Sequence, residues 1–181
     1  QQNRTISDTF DQTMSGETLV DMNALDMIVG SGGVLSHAPR REQSFRMLVD
    51  SFLPEGITQV AVDSIFMMPQ LGVLSSIHEQ AAIEVFNKDC LVRLGTCISP
   101  CGNNVQKGET ILEYNLQVDA EVIKGELKYG ELILLKYPYK KIKMNMITHN
   151  NFLLNDENEF EGYVYGGEVG ILLDGRGRPF N

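Results

Sequence analysis

The apolar residues of this chain follow two rhythms. Leu25, Met27, Ile28 and Val29 form a short apolar run that meets three glycines in four residues, Gly30, Gly32 and Gly33, after which a helical pattern begins. Phe45, Leu48, Val49 and Phe52 fall at i, i+3, i+4 and i+7, one apolar stripe, with Arg40, Arg41, Glu42, Arg46 and Asp50 over the remaining surface. Pro39 suits the first turn of this helix and Pro54-Glu55-Gly56 ends it. Ile57-Thr58-Gln59-Val60-Ala61-Val62 then reads as a strand, and strand, helix and strand make a βαβ unit. From Pro69 to about Phe86 a second helical pattern carries Leu71, Leu74, Ile77, Ala81 and Val85 as a stripe expected to be buried.

Beyond Cys90 the rhythm shortens to β-rich runs between glycines. Gly108-Glu109-Thr110-Ile111-Leu112 recurs as Gly130-Glu131-Leu132-Ile133-Leu134 and, more loosely, as Gly167-Glu168-Val169-Gly170-Ile171-Leu172. Repeated turn-then-strand units of this kind predict a small barrel or sandwich. Three domains follow from the pattern: a polar lead-in over residues 1–24, a unit over 25–89 and a β-rich unit over 90–181. Charge changes at the same boundary. Residues 1–89 carry 5 basic and 12 acidic side chains, and residues 90–181 carry 10 and 12.

The glycine turn is the candidate binding element. Glycine lacks a Cβ, so the backbone there can take positive φ and admit a ligand closely. A loop that opens onto a helix faces the phosphates or ribose of a nucleotide, and the equal alternative is a turn needed only for tight strand–helix packing. Ser36 and His37 follow the glycines closely enough to touch such a ligand, and Ser31 lies within them. Asp63 ends the second strand, where an aspartate faces the ligand crevice of a parallel sheet or else caps the next helix. Arg40 and Arg41 belong to a solvated helix start, or reach toward a phosphate or stack on adenine.

The segment from Ile28-Val29 through Gly32-Gly33, Ser36-His37 and Pro39 to the helix at Phe52 resembles the adenosine motif of actin-like ATPases, the superfamily of sugar kinases and heat-shock chaperones. More narrowly, Gly30-Ser31-Gly32-Gly33-Val34-Leu35-Ser36-His37-Ala38-Pro39, Ala61-Val62-Asp63-Ser64-Ile65-Phe66-Met67-Met68-Pro69, Leu71-Gly72-Val73-Leu74-Ser75 and the closing Gly167-to-Pro179 stretch resemble the glutamate mutase accessory protein family. The resemblance implies an α+β fold, the βαβα C-terminal portion of an actin-like ATPase domain followed by a β-rich barrel or sandwich. It implies an ATP-dependent reactivating chaperone in the cytoplasm for an adenosylcobalamin-dependent mutase of glutamate mutase or aminomutase type. Nucleotide, ATP or ADP with Mg, would be held by Gly30, Ser31, Gly32, Gly33, Ser36, His37 and Asp63. Cobalamin would be met only through the partner mutase, gripped by the β-rich unit.

The phosphate strand-turn and the water-positioning residue of such ATPases are absent, and no Walker-A sequence replaces them. The chain opens Gln1-Gln2-Asn3-Arg4 with its first methionine at Met14, as expected of a piece of a longer protein. Taken by itself it is expected to bind ATP weakly at best and not to hydrolyse it, so no catalytic residue is assigned. Two other function classes stand beside this one. A dinucleotide-binding oxidoreductase domain would place Gly30, Gly32 and Gly33 at the pyrophosphate and Asp63 on the ribose, although the third glycine of the fingerprint is missing and Asp63 lies about 30 residues on instead of about 20. A ligand-free interaction module is the third.

Composition narrows the rest. Hydrophobic residues make up 43% and charged residues 22%, the proportions of a globular protein, with no apolar run near the ~20 residues of a membrane helix and no signal peptide. A net charge of -9 argues against a nucleic-acid partner. The basic-aromatic run Lys136-Tyr137-Pro138-Tyr139-Lys140-Lys141-Ile142-Lys143 is followed by Asp156, Glu157, Glu159 and Glu161, which favours local pairing or a partner-facing patch over single-strand binding. Met144-Asn145-Met146 lacks the central lysine of a lipoyl carrier, and His78-Glu79-Gln80-Ala81-Ala82 lacks the second histidine of a zinc protease. Cys90, Cys97 and Cys101 form no paired set and read as reduced structural thiols, with no metal site. Asp174-Gly175-Arg176-Gly177-Arg178-Pro179 reads as a turn whose arginines are exposed.

Overall fold

The computed structural model describes residues 21–103 and 105–179. The expected lead-in therefore lies outside the described residues up to residue 20; its last part is a 3-10 turn, Met22–Ala24, with the Asp21 carboxylate accepting the Asn23 N–H. In chain order there follow β1 (Met27–Gly30), α1 (Gly33–Ser36), α2 (Arg41–Phe52), β2 (Gly56–Asp63) and α3 (Met68–Val85). A π turn, Phe86–Cys90, leads into β3 (Leu91–Ser99), β4 (Thr110–Val118), β5 (Glu121–Lys128), β6 (Leu132–Leu135), β7 (Lys141–Thr148), β8 (Glu159–Tyr165) and β9 (Gly170–Asp174).

The class is α+β, with two sheets. One has the order β1-β2-β3-β9-β6 and the other β5-β4-β7-β8. β1 and β2 are parallel, from Met27↔Gln59 to Gly30↔Val62, with α1 and α2 in the crossover between them. β3 pairs antiparallel with β2, and β9 returns from the end of the chain to lie parallel to β3, Gly95↔Gly170 through Ile98↔Leu173. The charge step near Asp89 thus falls on the π turn, and one sheet takes strands from both sides of it.

Alternation along β9 shows how the layers form. Leu172 faces α2, in a core with Phe45, Leu48, Val49, Ile28, Val60, Val62 and Leu94, while Ile171 and Leu173 face the second sheet, in a core with Ile111, Leu116, Leu127, Ile142, Met144, Met146 and Phe152. Helix, sheet and sheet are therefore stacked in that order. Of the two arrangements expected for the β-rich part, the sandwich forms and the barrel does not: β5 and β8 lie at opposite edges of the four-stranded sheet and never pair.

Three expectations are corrected. The helix after the glycines is two pieces; α2 begins at Arg41 behind an Arg40 cap, so Pro39 precedes the first turn instead of lying in it. The second helical stripe is not buried. His78 (φ -148°, ψ 82°) breaks α3, and Leu71 and Ala82 share a small cluster with Cys90, although a straight helix would hold them about 16 Å apart. The element is a hairpin of two short helices, closed at its base where Ser64 N and Oγ both donate to the Cys90 carbonyl at 2.9 Å. Only Leu71 and Ala82 are buried within it; Ala81 is half-buried, Leu74, Ile77 and Val85 are exposed, and Ile77 is 83% exposed. The arginines near the end are not both exposed either. Asp174 sits at 0% and Arg178 at 1% exposure because Arg178 Nη2 and Arg176 Nη2, the latter at 2.7 Å, converge on Asp174 Oδ2, and Arg176 also reaches Asp50 of α2 at 2.8 Å.

Candidate functional site

β1 is the edge strand of its sheet, and the glycine loop leaves its carboxyl end beside the end of β2. Each glycine there has a different reason. A Cβ on Gly30 would lie 2.7 Å from Leu35 and 2.8 Å from Leu48, so this position lets α1 and α2 close onto the strand. Gly32 takes φ +131°, which side chains rarely adopt, and open space surrounds it. Gly33 has ordinary φ, and its nearest neighbour would be the Phe66 ring at 3.8 Å. Packing accounts for the first glycine and backbone conformation for the second; the third leaves unfilled space at the surface.

That space opens on a groove of about 520 Å³ lined by Gly33, Val34, His37, Ala38, Pro39, Gln43, Arg46 and Met47. His37 is exposed along it, with its ring stacked on Phe66 at 6.1 Å between centroids, and Ser31, two residues before Gly33, is exposed as well. The groove is mostly apolar, with one guanidinium at Arg46. Gln43, Arg46 and Met47 were missed as candidates, though their i, i+3, i+4 spacing puts them on one face of α2 beside the loop.

Ser36 and Asp63 turn inward. Ser36 Oγ donates to the Asp63 carbonyl at 2.6 Å. The Asp63 carboxylate accepts N–H groups from Ile65 and Met67 at 3.3 Å and Met68 at 3.1 Å, and the Ser31 hydroxyl at 3.3 Å. Burial works to raise its pKa, but the Met68, Met67 and Ile65 amides and Ser31 together outweigh burial and hold it below the usual carboxylate value. Asp63 is therefore the cap of the α3 hairpin and the point where the glycine loop is tied to it. Of the residues assigned from sequence, Ser31, Gly32, Gly33 and His37 reach the surface together; Gly30, Ser36 and Asp63 hold the loop from beneath. Arg41 points away, donating to the Ser36 carbonyl at 3.0 Å and pairing with Glu168 at 3.4 Å.

Other candidate chemistry is engaged elsewhere. Lys136 meets Glu42, Lys140 meets Asp119 and Lys143 meets Glu161, while Lys141 lies over the Tyr163 ring at 4.1 Å. Cys90, Cys97 and Cys101 are free thiols; burial pushes Cys97 up to about 12 and Cys101 up to about 11, far from the reactive thiolate range. Among the described residues no group of three or more His, Cys, Asp or Glu side chains could hold a metal ion, and no helix is long and apolar enough to cross a membrane.

Residues 4–90 match the family model described as MutL protein, just under half of the chain. The match takes in β1, the glycine loop, α1, α2, β2 and the α3 hairpin, and ends at Cys90 before β3. It corresponds to the glutamate mutase accessory family whose motifs the loop resembles. No curated protein and no solved structure matches the chain.

Proposed function

We propose that this chain serves in an ATP-dependent reactivating chaperone for an adenosylcobalamin-dependent mutase, and that the surface formed by Ser31, Gly32, Gly33 and His37 takes the adenosine part of ATP or ADP. The observation that carries the reading is the family match over residues 4–90, which covers the whole of the glycine-loop unit. The local geometry fits a nucleotide. Gly32 and Gly33 leave the backbone open beside an apolar groove wide enough for a purine and ribose, and Arg46 supplies one cation at its wall. Mg would arrive with the nucleotide phosphates, since Asp63, the carboxylate bonded to Ser31, has both oxygens engaged. Cobalamin chemistry belongs to the mutase that the chaperone serves.

The same occupancy of Asp63 argues against a dinucleotide-binding oxidoreductase, because the carboxylate needed on the ribose already accepts four donors from its own chain. A nuclear magnetic resonance titration separates the readings. With millimolar ADP or Mg·ATP, amide shifts are expected to be largest in residues 31–37 and 43–47, and Gly33→Val should abolish them. NAD giving the larger response, or none of the three nucleotides moving those amides, overturns the proposal.

A further inference from the structure

We infer that the α3 hairpin is a lever whose orientation is set by the glycine loop, so that whatever occupies the loop repositions the hairpin's apolar surface. The identity of the occupant rests on the adenosine-nucleotide reading above; the mechanical link does not. Among the described residues, the hairpin's main packing partner is the π turn that follows it, where Leu71 and Ala82 share a small cluster with Cys90 and Phe86. Its outward residues Val73, Ile77 and Ile83 are half or more exposed, and Leu74 and Val85 are partly so. An element attached in this way points wherever its root points.

The root is gripped from the loop side at three places. Ser31 donates to the carboxylate that caps the first helix of the hairpin, and Ser36 donates to the carbonyl of the same aspartate. His37 stacks on Phe66, a non-glycine residue held at φ 60° in the turn between Asp63 and the hairpin. Phe66 is also the side chain nearest to the open position at Gly33. A ligand seated against Gly33 therefore meets Phe66 and competes with Asp63 for the Ser31 hydroxyl. Of the three grips, two lie where the ligand would sit, and the third, Ser36 on Asp63, stays buried as the pivot. A ligand that binds one arrangement of these contacts better than another shifts the hairpin by that difference in affinity.

The test measures distance by pulsed electron resonance in the full chain. Cys101→Ser removes the one half-buried native thiol, and spin labels are placed at Ser76→Cys on the hairpin tip and Gln117→Cys on β4. The parent is expected to give one dominant distance. Ser31→Ala combined with Phe66→Ala should broaden that distribution at least twofold, while the circular dichroism melt stays that of the parent. His37→Ala, a milder change, should act in the same direction. An unchanged distribution in both variants overturns the lever, whether or not nucleotide binds. Added ADP should shift the parent distribution and leave the double variant unmoved. Were the amides of residues 31–37 to respond to ADP with no change in distance, the lever would fail and the nucleotide reading would stand. Broadening in the variants together with silence toward ADP, ATP and NAD has the opposite meaning: the lever stands and the nucleotide reading falls.

Discussion

The sandwich and the hairpin are built from the same kinds of residue with opposite outcomes. Leu116, Met144, Phe152 and Leu173 are completely enclosed between the two sheets, whereas Val73, Leu74 and Ile77 carry comparable side chains in the open. Burying such a side chain stabilises by roughly 1.5–3 kcal/mol, so the sandwich is where folding energy is concentrated. The hairpin withholds that contribution. The exposed apolar side chains of the hairpin thus lie outside the described core, and the glycine loop is tied to their root through Asp63.

The contrast breaks most directly if the sandwich does not dominate stability. Phe152 is buried at 0%, with the Tyr129 ring at 5.9 Å and Gly102 against its face. Phe152→Ala is expected to cost about 3–5 kcal/mol in urea unfolding, enough to unfold a marginal domain. Arg178→Ala should cost a similar amount, about 3–5 kcal/mol, because it strips a buried carboxylate of a partner that lies at hydrogen-bond distance. A loss below 1 kcal/mol for both would place the stabilising core elsewhere.

Acid sharpens the same point. Burial works to raise the Asp174 pKa, but the Arg176 hydrogen bonds and the Arg178 charge prevail and leave it below its usual value. A carboxylate with a lowered folded pKa binds fewer protons in the native state than in the unfolded one. The stability it adds is complete above the unfolded value of about 3.9 and is lost as pH falls through the folded value. Asp63 has the same sign. Unfolding midpoints are therefore expected to hold from pH 7 to about 5 and to decline below about 4. Asp174→Asn should be less stable at pH 7 and decline less steeply on acidification. A midpoint that rises below pH 4 contradicts the assignment.

Much of the first region could be read in advance because periodicity reports local geometry. Ile57–Val62 is a β-rich, mostly apolar run with a glycine-ended strand before it and an amphipathic helix between, and β1, α2 and β2 form as that pattern requires. Asp63 at a strand end was legible as a cap or a ligand residue, and its bonds to the Ile65, Met67 and Met68 amides show the cap. Periodicity says which side of a helix is apolar and is silent about whether anything lies against it, so Leu74, Ile77 and Val85 were expected to be buried. The break at His78 carries no glycine or proline to announce it. The place of β9 was hidden for another reason: it pairs with strands far away in sequence, and only that pairing explains why Asp174 and Arg178, polar at every local level, end up enclosed.

Inside the second region, Asp63→Asn replaces one acceptor oxygen by a donor facing backbone N–H groups. A cost of about 1–3 kcal/mol is expected, since a buried donor is left without a partner. Native-state hydrogen exchange should show that cost mainly in residues 64–90 and little in β4 to β8. Equal loss of protection in the four-stranded sheet would mean that the hairpin root and the sandwich unfold as one unit. Gly33→Ala should change stability by less than about 1 kcal/mol, because the added methyl meets only the Phe66 ring at contact distance. Any effect on ADP-induced amide shifts would then come from the methyl occupying the ligand's space.

The smallest effect is the most diagnostic of the comparison. Ile77 is 83% exposed at the turn of the hairpin, so exchanging it for serine removes almost no buried surface. Ile77→Ser is expected to leave the urea midpoint within about 0.5 kcal/mol of the parent. A side chain of the same type enclosed between the sheets, such as Ile142 at 1% exposure, should lose several times more on the same exchange. If Ile77→Ser instead destabilises the isolated chain by 2 kcal/mol or more, the hairpin is packed in solution against something that the described residues do not include, and the division into a stabilising sandwich and a free arm no longer holds.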